Sequence, residues 1–313
     1  MVVLRLIQFE EETMYTKMLI PLDGSRTAEK VLPFARALAQ TLKIPIELLG
    51  VVDVGVMVAQ VAADRARYLD TLIAQNERSS KDYLKDVAAR LPGLSVTWTV
   101  ERGRPAEVII ERAAADKGTL ITMATHGRSG INRWLLGSVA EKVLRGTTNP
   151  LFLVRGNEEP AADGSPAMKS IIVPLDGSEL AESVLPTVAA VAKVLDLEVI
   201  LCRAFELPAS AYYGGEDYLP NYDALKQQVK DEAQSYLEQK REALKGMGLA
   251  KVSTVLLEGT GADEIVHYAQ EHPDSLVAMC THGRSGIKRW VLGSVTEKVV
   301  RHSGDPVLVV RAA

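Results

Sequence analysis

One stretch of this chain is written twice, and that constrains the fold more than anything else in it. Thr125 to Arg145 reads THGRSGINRWLLGSVAEKVLR, and Thr281 to Arg301 reads THGRSGIKRWVLGSVTEKVVR; 17 of 21 positions are identical. The differences are Asn132/Lys288, Leu135/Val291, Ala140/Thr296 and Leu144/Val300. A second motif repeats at almost the same distance. Pro21-Leu-Asp23-Gly-Ser25 recurs 153 residues later as Pro174-Leu-Asp176-Gly-Ser178, and the glycine-rich stretch recurs after 156. A period this long marks two whole domains rather than a solenoid of short units. The 313 residues leave room for about two.

Each copy alternates strand and helix signals. In the first, apolar runs at 18–22, 46–52, 94–100, 120–124 and 151–154 read as strands. Helical patterns fall at 27–42, 65–91, 105–115 and 139–145, with Pro105 well placed in a first turn. Five strands alternating with four helices predict an α/β fold: two tandem doubly wound domains, each a five-stranded parallel sheet with helices on both faces. The expected domains are 1–156, with 1–16 an extra N-terminal segment, and 169–313. Between them 157–168 is a linker rich in turn residues. The opening MVVLRLIQFEEET is too short and too interrupted for a signal peptide.

Ligands of such sheets sit beyond the carboxyl ends of the strands, where strand order reverses. Two loops should meet there, one after strand one at Asp23 or Asp176, the other after strand four. The second loop carries Gly127, Gly130 and Gly137-Ser138-Val139 in the first copy and Gly283, Gly286 and Gly293-Ser294-Val295 in the second. Glycine lets backbone approach a ligand closely. The N–H groups that open a helix attract anions. Ser138 and Ser294 add hydroxyls, and Arg128 and Arg133 add positive charge.

Plainer readings compete. Ser138-x-x-Glu141 and Ser294-x-x-Glu297 fit a capping box, and Gly137 could be the C-cap of a short turn. Asp23 and Asp176 could be Asx-turn residues, ligands for a nucleotide, or both. His126 and His282 lack any partner with triad logic and are read as loop residues. Trp134 and Trp290 are read as anchors in the core. Tyr212-Tyr213 could lid the second site.

Net charge of −4 without a basic block argues against a nucleic-acid surface. Cys202 and Cys280, 78 residues apart, fit free thiols in a reducing compartment, hence a cytoplasmic location. No apolar run approaches the roughly 20 residues that span a bilayer, so no membrane association is expected.

The glycine spacing resembles that of the universal stress protein family, in its nucleotide-binding branch. The family motif is G-x2-G-x9-G-[ST]. Gly127-x9-Gly137-Ser138 and Gly283-x9-Gly293-Ser294 match it, while the first glycine falls on Ala124 and Cys280. Cys280 puts a larger group where that family brings backbone near the ligand. The resemblance implies strand order 3-2-1-4-5 and bound ATP, with or without Mg. It implies that Asp23 and Asp176 serve the adenosine end and that backbone at Val51 and Ala204 contacts adenine. Bare edge strands invite pairing, and the family commonly pairs through its last strand. An internal pseudo-dimer of the two copies is therefore expected, and a homodimer is possible. The implied function is an ATP-binding stress-response regulatory protein with little or no turnover. A slow ATPase and a scaffold that binds no nucleotide are the alternatives. No G-x-x-x-x-G-K-[ST] is present, and Glu141, the one acid beside the loop, is expected to cap.

Overall fold

The computed structural model describes residues 15–60, 68–125, 136–155, 168–206, 222–281 and 293–311. Gly127, Gly130, Gly283, Gly286, the two histidines and two tryptophans of the repeated loop, Tyr212, Tyr213 and most of the expected linker lie outside the described residues.

The first half runs β1 (Lys17–Pro21), α1 (Arg26–Glu29), α2 (Leu32–Leu42), β2 (Ile46–Val52), α3 (Val54–Gln60), α4 (Leu69–Ala89), β3 (Val96–Arg102), α5 (Pro105–Ala114), β4 (Thr119–Ala124), α6 (Ser138–Gly146) and β5 (Leu151–Val154). The second half repeats it as β6 (Ser170–Pro174), α7 (Glu179–Glu182), α8 (Leu185–Leu195), β7 (Glu198–Phe205), α9 (Tyr222–Gly246), β8 (Val252–Glu258), α10 (Gly261–Glu271), β9 (Ser275–Thr281), α11 (Ser294–His302) and β10 (Val307–Arg311).

Two local features differ from the sequence pattern. The single helix expected over 27–42 is broken into α1 and α2. Pro33 lacks an N–H, and its ring crowds the carbonyl four residues back, at Glu29, where α1 stops. Pro186 does the same to Glu182, the last residue of α7. Helix α3 was not expected. Asp53 starts it by accepting a hydrogen bond from the Val56 N–H at 3.1 Å.

The strands form one sheet in the order β3-β2-β1-β4-β5-β10-β9-β6-β7-β8. Each half therefore has the order 3-2-1-4-5, read inward from its outer edge. Pairing is parallel within each half. At the centre β5 and β10 run antiparallel, with Leu151, Phe152 and Leu153 opposite Val309, Leu308 and Val307. The edge that each half would otherwise expose is covered by the other. Both of these strands therefore find their pairing partner within the same molecule.

The core is shared as well. Each face of the sheet carries an apolar layer with residues from both halves. In one, Phe34 of α2 meets Phe152 of β5 with ring centroids 6.0 Å apart. Strands β4, β5 and β6 are buried along their whole length, as expected where helices cover both faces.

Charges cross the same seam in a symmetric way. Arg301 of α11 pairs with Glu141 of α6 at 2.9 Å, and Arg145 of α6 pairs with Glu297 of α11 at 2.7 Å. Buried Arg155 donates from Nη2 to the carbonyl of Val300 at 3.3 Å, and its repeat counterpart Arg311 donates to the carbonyl of Leu144. The four seam carboxylates and guanidiniums of α6 and α11 are partly exposed. Such pairs contribute about 0–1 kcal/mol each. A charge-assisted bond to a buried carbonyl contributes about 1.5–3 kcal/mol. Burial of the shared apolar layers holds the halves together more strongly than either.

At the opposite, amino ends of the strands, buried Glu47 accepts from Lys17 Nζ at 2.8 Å and from Arg112 Nε at 2.7 Å. Burial pushes its carboxyl up. Hydrogen bonds and charge from Lys17 and Arg112 outweigh that and hold it below its ordinary value of 4.5.

Two outcomes are expected. Phe152→Ala costs about 3–5 kcal/mol of unfolding free energy. The loss appears in a single denaturant transition, since both halves lose packing; a two-step trace with one half unchanged would show separate cores. Glu47 contributes stability that is complete above its unfolded value and lost as pH falls through its lower folded value. Glu47→Gln should therefore be less stable than wild type at pH 7, with the gap closing below about pH 4.5. Equal stabilities at pH 7 would contradict this.

Candidate functional site

The site in the second half is built where three strands end. Strand β6 stops at Pro174, and the chain turns through Leu175-Asp176-Gly177-Ser178 into α7. Gly177 sits at φ 93°, a conformation that strains residues with a Cβ. Asp176 Oδ1 accepts from the Ser178 N–H at 2.9 Å and from Ser178 Oγ at 2.6 Å. Ser178 in turn caps α7 by accepting from the Ala181 N–H at 3.1 Å. The first half repeats the turn: Gly24 is at φ 80°, and Asp23 Oδ1 accepts from the Ser25 N–H at 2.9 Å. The Asx-turn reading of both aspartates is thus correct as far as it goes. It engages Oδ1 and says nothing against a ligand at the other oxygen. Burial pushes the Asp176 carboxyl up. The two bonds from Ser178 and the nearby charge of Arg203 outweigh that and hold it below the usual carboxylate range, so it is ionised at neutral pH.

The starts of α6 and α11 correct the capping-box expectation. Gly137 and Gly293 are the N-caps, with φ −59° and −56°, and as glycines neither supplies a side-chain cap. Ser138 and Ser294 come one position too late and are the first helical residues. Glu141 and Glu297 point their carboxylates at the seam arginines instead of back along the helix. Glu141 is accordingly not a cap, and the turn expected before Gly137 lies outside the described residues. At Gly293 neither strain nor packing demands glycine. Its φ is ordinary, and among the described residues a methyl there would meet only Thr296 Oγ1 at 3.9 Å. The absence of a side chain leaves the uncapped helix start open to the space in front of it.

That space is a hollow of about 260 Å³, a little under the roughly 300 Å³ at which small-molecule pockets begin. Asp176, Ala204, Cys280, Gly293, Ser294 and Val295 all line it. They come from four separate places in the chain. Sheet order brings them together, because β6 lies between β7 and β9. Sequence reading missed Cys202, Gly261, Ile265, Met279 and Thr281, which also line it. Strand periodicity could have found Cys202, two residues before Ala204 and so on the same face. In the first half β1 lies between β2 and β4. This puts Asp23, Val51, Ala124, Gly137, Ser138 and Val139 at the corresponding end of their own sheet.

The lining is chemically divided. The start of α11 contributes N–H groups and the Ser294 hydroxyl, while β7 and α10 contribute Cys202, Ala204, Gly261 and Ile265, which are largely apolar. Asp176 is the one ionisable acid among the described lining residues. Among the described residues no group of three or more His, Cys, Asp or Glu side chains is placed to hold a metal ion. No described helix is long and apolar enough to cross a membrane.

Neither cysteine is in a disulfide, and both lie on the hollow's wall. Burial pushes the Cys202 thiol up to about 12. Cys280 is half-buried and accepts from Ser183 Oγ at 2.8 Å. Brief iodoacetamide treatment at pH 8 should label Cys280 in the folded protein and both thiols in denaturant, read by peptide mass spectrometry. Labelling of Cys202 in the folded protein would show that the hollow's floor is open.

Comparison with known proteins accords with this architecture. The model of the universal stress protein family matches residues 14–155 and again 168–311. A universal stress protein of Methanocaldococcus jannaschii is 32% identical over 152 residues, covering 48% of this chain and 85% of that protein. A universal stress protein of Mycolicibacterium smegmatis is 22% identical over 304 residues, covering 94% of this chain and 96% of that protein. The crystal structure of a universal stress protein from Archaeoglobus fulgidus aligns with a TM-score of 0.69 over 95% of this chain and 99% of that one. At 20% identity that likeness speaks for the fold alone. With two family matches spanning nearly its whole length, the chain belongs to the universal stress protein family, as a tandem of two of its domains.

Proposed function

We propose that this protein is a stress-response regulator that binds adenine nucleotide, ATP foremost, and holds it with little or no turnover. One observation carries the reading. Asp176, Ala204, Cys280 and the Gly293–Val295 helix start, dispersed over some 120 residues, line a single hollow. The uncapped start of α11, with Gly293 and Ser294, suits the phosphates: its N–H groups and the positive end of the helix dipole favour anions. The small apolar walls at Cys202, Ala204 and Ile265 suit a flat base. Ionised Asp176 between them suits a ribose hydroxyl, which is a donor.

The first half offers the same set in Asp23, Val51, Ala124, Gly137, Ser138 and Val139, so two nucleotides per chain are proposed. Mg would enter with the phosphates rather than from a protein cage. Phosphoryl transfer needs a placed lysine, a metal-binding carboxylate and a group that positions water. The described lining supplies one acid and no lysine. A holding role therefore fits better than an ATPase. Two cysteines outside any disulfide suit a reducing cytoplasm.

Isothermal titration tests the reading. Wild type should bind ATP. Gly293→Asp and Gly137→Asp should each lose one site, and the double variant both, because a carboxylate at a helix start repels phosphate. Asp176→Asn should weaken the second site roughly 10- to 150-fold, the equivalent of one charge-assisted hydrogen bond. Binding by the double variant equal to wild type would end the proposal.

A further inference from the structure

The two halves are near-copies, so their differences at the hollow are informative. The sharpest lie at the apolar end. Where the second half has Cys202 and Ala204 on β7, the first has Leu49 and Val51 on β2, at the same offset of 153 as the two aspartates. Where the second half opens α10 with Gly261, the first opens α5 with Pro105, at the offset of 156 shared by the glycine-rich loops. All three changes make the second half smaller, by about seven side-chain heavy atoms together. The three residues share one wall: Cys202, Ala204 and Gly261 all line the hollow, and a methyl on Gly261 would lie 3.7 Å from the Ala204 Cβ.

The missing volume is not refilled by the residues that pack there. Ile265, behind Gly261, has the same identity as its counterpart Ile109, and Met279 the same as Met123. The second half is bulkier than the first at Leu180, Cys280 and Thr296, against Thr27, Ala124 and Ala140. Those lie elsewhere on the wall, on α7, at the end of β9 and on α11. Room has moved from the helix-start side to the apolar side.

We infer that the two sites differ in selectivity. The second accepts a purine nucleotide whose base carries an added apolar group, and Leu49, Val51 and Pro105 exclude that group from the first. The inference rests on the nucleotide reading above. The anion end at α11 fixes which end of the ligand reaches the small-residue wall, and apolar lining favours an apolar substituent there. Deleted side-chain volume in a packed interior leaves room that only a ligand can fill. Residues 202, 204 and 261 are therefore specificity-determining, and they act by shape.

The test uses the full chain, with ATP, N6-benzyl-ATP and 8-benzylamino-ATP as probes. These carry a benzyl-sized group at two different edges of the base. At least one analogue should bind wild type at one site per chain. The variant Cys202→Leu/Ala204→Val/Gly261→Pro installs the first half's residues. It should raise the ratio of the analogue's Kd to that of ATP at least tenfold over wild type. Ala204→Val alone, the mildest change, should show the same direction, and circular dichroism melts confirm folding. Conversely, Leu49→Cys/Val51→Ala/Pro105→Gly should admit a second molecule of the analogue. If ATP binds but neither analogue does, or if an analogue binds the closed variant as tightly as wild type, the inference is overturned and the nucleotide reading stands. If ATP itself fails to bind, both fall.

Discussion

The antiparallel pairing of β5 with β10 is the contact on which the rest depends. Each half ends in a short apolar strand, Leu151–Val154 or Val307–Arg311, whose outer edge would present unpaired N–H and C=O groups to water. Turning one half over against the other satisfies those groups and merges two five-stranded sheets into one. Once the strands pair, α6 and α11 are held side by side. The start of α11 then lines the hollow of the second half, and the later turns of both helices exchange salt bridges. The arginines that follow β5 and end β10 make the arrangement symmetric. Arg155 and Arg311 each reach across to a carbonyl of the opposite half. Buried guanidiniums are costly unless bonded, so these bonds favour this docking of the halves over a loose one.

The same helices link stability to the site. Glu141 and Glu297 would have served their own helix starts as capping residues. Instead they hold the seam, and both starts are left to glycine. The first N–H groups of a helix have no partner within the helix itself. Here those groups face a hollow that also holds an ionised aspartate and a small apolar wall. Stabilising interactions have been placed at the seam and withheld where an anion would dock. Functional sites commonly show that pattern of local rules broken for a reason.

Much of this was legible in the residues. The repeat announced two domains, the alternation of apolar runs announced parallel sheets, and Asp23, Asp176 and the glycine–serine pairs marked the mouth of each sheet. Pro33 and Pro186 were also in plain view, yet the helical pattern around them masked the break they impose at Glu29 and Glu182. Glu141 was misread for a different reason. The S-x-x-E spacing is a local signal, whereas its real partner, Arg301, is 160 residues away.

What the sequence determined by itself was periodic or local: the strands, most helices, the Asx turns and the set of residues able to meet an anion. These follow from side-chain spacing and backbone preference within a few residues. Tertiary structure decided which of those residues share a wall and which carboxylates spend their charge at the seam. Those outcomes depend on strand order and on packing between segments about 20 to 160 residues apart, where each contact is set by the positions of all the others.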